Sequence, residues 1–68
     1  MLKEAFENVA PYISNLRELK KFVDENEGKD NEEILKILEK KVMDSQGTLK
    51  TDFRILLNEF GKIINKRM

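Results

Sequence analysis

A chain of 68 residues with neither cysteine nor histidine excludes a disulfide framework, a His-based metal site and a nucleophile activated by histidine. Thirteen Lys and Arg balance thirteen Asp and Glu, so the whole chain is neither polycation nor polyanion. A domain this short buries about 60% of its unfolded surface, and small scaffolds without staples often gain stability by pairing. The expectation is one all-α domain over residues 1–68, working as a dimer.

The first helical region carries Leu2, Phe6, Val9, Ile13, Leu16, Leu19 and Val23 at three- and four-residue steps. Pro11 interrupts it, because proline lacks an N–H and clashes with the preceding turn. Asn15 followed by Glu18 resembles a capping box. The spacing therefore predicts a short helix over about 2–9 and a longer one over about 12–26. Lys20–Asp24 and Lys21–Glu25 form i,i+4 pairs on the outer face. Tyr12, beside Pro11, reads as a half-buried packing residue rather than a stacking platform.

Gly28 is a candidate left-handed cap. Asp30 and Glu33 form a second capping box, opening a helix over about 31–46. Ile34, Leu35, Ile37, Leu38, Val42 and Met43 give it a wide apolar face, which predicts that this helix is the most buried. The acid-rich run before it does not fit a calcium loop. With Gly28 at the sixth position Val23 would come first, and valine cannot ligate.

Gly47 closes that helix, and Thr48 or Thr51 caps the last one, over about 49–66. Leu49, Phe53, Leu56, Phe60 and Ile63/Ile64 align as one apolar stripe at about 100° per residue. Lys50, Arg54, Asn58, Lys62, Asn65 and Lys66 occupy much of the remainder, with Arg67 extending the row. Ile55 falls away from the stripe, near Asp52 and Glu59. Bases and carboxamides on one face suit phosphate oxygens and base edges. Charge is also polarised along the chain. Residues 1–39 hold six bases and ten acids, whereas residues 40–68 hold seven bases and three acids. The basic end is the one that would attract a polyanion.

The last two helices, joined by Asp44 to Thr48, resemble a helix-turn-helix. The expected architecture is a three-helix, homeodomain-like bundle, intertwined or side by side as a dimer. Lys50, Arg54, Asn58, Lys62, Asn65 and Lys66 are the candidate DNA contacts. Phe53, Ile55, Leu57, Phe60 and Ile64 are the candidate contacts between copies. No catalytic residue, metal ligand or cofactor site is expected, and an enzyme is not. No apolar run approaches the ~20 residues that span a bilayer, so the segment is expected to be soluble, without membrane contact of its own.

The stretch LKKFVDENEGKDNEEILKILEKKVMDSQGTLKTDFRILLNEFGK resembles the C-terminal functional domain of the membrane-bound replication organiser of phi-29-like Bacillus phages. The resemblance spans most of the chain and rests on no short diagnostic motif. It implies a homeodomain-like dimer that binds single- and double-stranded DNA without sequence preference and assembles further on it. By this resemblance Lys50, Asn58 and Lys62, with Arg54 beside them, would bind DNA, and Phe53 would serve assembly between dimers. The chain has no tryptophan, a departure that bears on assembly if the family relies on one. Family members carry a membrane anchor and a coiled coil ahead of this domain. The chain then corresponds to the soluble part, held at the cytoplasmic face through that anchor. The alternative is an oligomerisation or protein-docking module with no nucleic-acid binding. It would present the Ile34–Met43 face together with Ile55.

Overall fold

Helices make up every regular element of the computed structural model, which describes residues 1–67; Met68 and the side chain of Arg67 lie outside the described residues. The order is α1 (Leu2–Val9), a 3₁₀ turn (Ala10–Tyr12), α2 (Leu16–Asn26), α3 (Asn31–Asp44) and α4 (Gly47–Arg67). Pro11 lies in the 3₁₀ turn, where its missing N–H is harmless. It separates α1 from α2, so the expected second helix begins four residues later than position 12.

The expected caps are replaced by longer-range contacts. Asn15 stands before α2, and its carbonyl accepts from the Leu19 N–H at 3.0 Å. Its side chain makes no cap and turns to α4 instead. Asp30 has the extended backbone of an N-cap (φ −63°, ψ 150°) without a side-chain cap bond. Gly28 is not left-handed, since Gly47 is the one residue with positive φ among those described (+64°). The end of α2 is held by Asn26, whose Nδ2 donates to the Phe22 carbonyl (2.7 Å) and whose Oδ1 accepts from Lys29 Nζ (2.8 Å). Gly47 in turn starts α4, two residues earlier than expected. Neither threonine acts as its N-cap. Thr48 Oγ1 accepts from Asn15 Nδ2 at 3.2 Å, and Thr51 Oγ1 donates back to the Gly47 carbonyl at 3.5 Å. The pairs Lys20–Asp24 and Lys21–Glu25 do not close. Among the described residues the ion pair within 4 Å is Met1 N to Glu27 Oε1, at 3.5 Å. Glu27 Oε2 also accepts from the Lys3 N–H at 2.9 Å, satisfying one free donor of α1's first turn.

α4 is the central helix. It packs against α3 and α1, and α1 packs against α2. Leu2, Ala5 and Val9 of α1 meet Leu19, Phe22 and Val23 of α2 and Phe53, Leu56, Phe60, Ile63 and Ile64 of α4 in one core. The Phe22 and Phe53 rings meet edge to face with centroids 5.2 Å apart, the arrangement their quadrupoles favour.

Two expectations change here. α3 is not the most buried helix: Ile34 and Leu38 are buried, Leu35, Ile37 and Val42 only partly, and Met43 is 79% exposed. An apolar arc that wide needs neighbours on two sides, and so small a bundle covers one. The candidate contacts between copies are also spent within the chain. Phe53, Phe60 and Ile64 are core residues, and Ile55 and Leu57 are half-buried against that core. The Cα radius of gyration is 10.8 Å, against about 11 Å for a self-contained domain of this length. These side chains leave water within the one chain.

Candidate nucleic-acid interface on α4

α4 has an inner and an outer side, and helix geometry assigns its residues between them. Phe53, Leu56, Phe60, Ile63 and Ile64 point inward. So does Asp52, at 1% exposure. Its Oδ1 accepts from the Ser14 N–H (3.1 Å), and its Oδ2 accepts from the Asn15 N–H (2.8 Å) and from Asn15 Nδ2 (2.8 Å). These bonds pin the segment between α1 and α2 onto the first turns of α4. Asp52, which the spacing sets beside Ile55 away from the apolar stripe, is therefore part of the buried side instead. The signal for its burial was in the sequence: Asp52, Leu56 and Ile63 share one side of the helix. A carboxylate inside an apolar stripe marks a buried acceptor, because burial without partners would be costly.

The outer side carries Arg54, Asn58, Lys62, Asn65 and Lys66, all exposed, and Lys50, half-buried. Residues four apart drift by about 40° around a helix. The row from Lys50 to Lys66 therefore winds through about 160° while rising roughly 24 Å. Arg54, Asn58, Lys62 and Asn65 fall within a sector of about 80°, and Lys50 and Lys66 lie at opposite flanks. A straight ligand strand meets the central four first.

Glu59 is the one acid on the rim of this side, and it accepts from Asn8 Nδ2 of α1 at 3.0 Å. Lys62 and Lys66 share an open hollow with Glu4, Asn8, Glu59 and Ile63, so acidic groups temper the potential at that end. Lys50, Arg54, Lys62 and Lys66 form no ion pair within 4 Å among the described residues. Lys41 is engaged differently, its Nζ lying 5.9 Å from the centroid of the Phe53 ring. The Arg67 side chain, expected to extend the row, falls outside the described residues.

Sequence reasoning missed two features of this region. Asp52 is one. Tyr12 is the other, being 72% exposed rather than half-buried. No family model matches the chain, and neither a curated protein nor a solved structure matches it. Among the described residues no helix is long and apolar enough to cross a membrane.

Proposed function

We propose that the chain is a DNA-binding module that grips phosphates with the outer side of α4 and reads little base sequence. Arg54, Asn58, Lys62 and Asn65 form the centre of the contact, with Lys50 and Lys66 at its flanks. The observation that carries this reading is the state of the outer side: Arg54, Asn58, Lys62, Asn65 and Lys66 are exposed and form no ion pair among the described residues, while the acid on their rim is held by Asn8. Such groups exchange water and counterions for phosphate oxygens at little structural cost. The +4 balance of residues 40–68 favours the same end.

In this reading α3 and α4 act as a helix-turn-helix pair, with α4 as the element laid against the nucleic acid. The resemblance to the replication organiser of phi-29-like phages supports a role on both single and double strands. Zero net charge makes one copy a weak binder, and aligning α4 faces from two copies raises affinity by avidity. A pairing of that kind uses surface outside the core, such as Met43 beside Ile37 and Val42 on α3.

The test is a titration of fluorescently labelled oligonucleotides at several salt concentrations. Log affinity should fall linearly with log salt. Arg54→Ala with Lys62→Ala should weaken binding to all sequences alike and flatten the slope by about 2, roughly 1 for each phosphate no longer neutralised. Absence of binding at high micromolar protein and low salt defeats the reading.

Met43, 79% exposed beside the half-buried Ile37 and Val42, favours a second reading in which α3 docks a protein. Sedimentation and DNA titration of the parent chain together separate the two: association through α3 without any binding of DNA at low salt favours docking, whereas salt-sensitive DNA binding, weakened in Met43→Glu by the lost avidity, favours the first reading.

A further inference from the structure

Tyr12 is an aromatic side chain without a job inside the fold. Neither its ring nor its hydroxyl has a partner among the described residues, and it is 72% exposed. Its backbone, by contrast, is held on both sides. Val9 and Ile13 bury their side chains in the core (6% and 7% exposed), and the Ile13 N–H donates to the Ala10 carbonyl at 3.1 Å. Pro11 fixes φ immediately before Tyr12. The ring therefore projects from a turn whose backbone is already ordered.

The position of that turn relative to α4 is set by Asp52. Ser14, two residues beyond Tyr12, donates its N–H to Asp52 Oδ1, and Asn15 bonds to Asp52 and Thr48. Two peptide units span at most about 7 Å between Cα atoms. Tyr12 thus stands near the first turns of α4, on the side of Thr48, which flanks the cationic sector beyond Lys62 around the helix.

A solvent-facing ring on an ordered turn, flanking a row of cations, is a combination that single-stranded nucleic acid uses. Cations track the backbone, and an aromatic face takes an unpaired base. A duplex offers no such base, because its bases are stacked and paired. We infer that Tyr12 is a stacking platform for an unpaired base of a single strand whose phosphates lie along the outer side of α4. This rests on the phosphate-binding reading and deepens it, since it gives the module a means of preferring single strands over duplex.

The chain supplies its own reporter: it has one tyrosine and no tryptophan, so tyrosine emission comes from Tyr12 alone. Titration of the unmodified chain with an oligo-dT single strand should quench that emission, and a duplex of equal length should not. In parallel, anisotropy measurements should show that Tyr12→Leu lowers single-strand affinity about tenfold and leaves duplex affinity within twofold. Tyr12→Phe keeps the ring and should restore single-strand binding. Arg54→Ala with Lys62→Ala should weaken both ligands. If that double variant loses binding while Tyr12→Leu retains full single-strand affinity and the emission is not quenched, the platform is overturned and the phosphate contact stands. If the double variant binds as the parent does, the phosphate contact itself fails and the platform fails with it. The quenching experiment uses the unaltered chain and is independent of how any variant folds.

Discussion

The two sides of α4 obey different rules. On the inner side each residue is fixed by its surroundings: Phe60 and Leu56 are fully buried, and Asp52 is matched to three N–H donors. On the outer side no ion pair or hydrogen bond among the described residues engages the side chains of Arg54, Asn58, Lys62 or Asn65. The inner side explains why the helix is where it is. The outer side is where identity is free to serve a ligand. Substitutions should therefore separate cleanly, with inner ones changing stability and outer ones changing binding at constant stability.

The sharpest break comes from Phe60→Ala. Truncating a fully buried phenylalanine costs about 3–5 kcal/mol, comparable with the whole stability of ~3–10 kcal/mol expected for a domain of this length. Circular dichroism should show loss of the cooperative thermal transition, and DNA binding should vanish with the fold. Asp52→Ala comes next. It leaves the Ser14 and Asn15 N–H groups without their acceptor, at a cost of about 2–3 kcal/mol. The melting midpoint should fall, and amide exchange should rise first at Ser14 and Asn15.

Gly61 provides the smallest and opposite effect. It sits mid-helix toward the outer side, and apart from its chain neighbours and the helix's own backbone nothing lies within 4 Å of where its Cβ would stand. Gly61→Ala should raise stability by about 0.5–1 kcal/mol, read as an increase in denaturant midpoint. A decrease would mean that the outer side is constrained by packing after all, and the contrast between the two sides would disappear.

Much of the fold was legible in the sequence, because helix periodicity and Gly/Pro punctuation are local signals. The break at Pro11 and the starts of α1 and α3 follow from them. The ranking of α3 and α4 by depth did not. Both carry broad apolar arcs, and which one becomes central depends on where α1 lands. Phe53, Phe60 and Ile64, read as contacts between copies, lie in the chain's own core, because an apolar stripe announces burial without saying against which chain. Asn15 and Glu18 had the spacing of a capping box, yet a long-range partner, Asp52, claimed Asn15. The outward placement of Arg54, Asn58, Lys62, Asn65 and Lys66 was legible, since it follows from their phase against the apolar stripe. Tyr12 was not, because its exposure depends on how a three-residue turn meets a distant helix.

The central claim is that a nucleic acid lies against the outer side of α4. It is tested most directly by following backbone amide resonances of the chain during titration with a short DNA oligonucleotide at low salt. The account predicts shifts concentrated at Lys50, Arg54, Asn58, Lys62 and Asn65, fading as salt is raised, with the amides of Glu32 to Lys40 on α3 unmoved. Shifts centred on α3 around Ile37 to Met43, or no shifts at millimolar oligonucleotide, would contradict it.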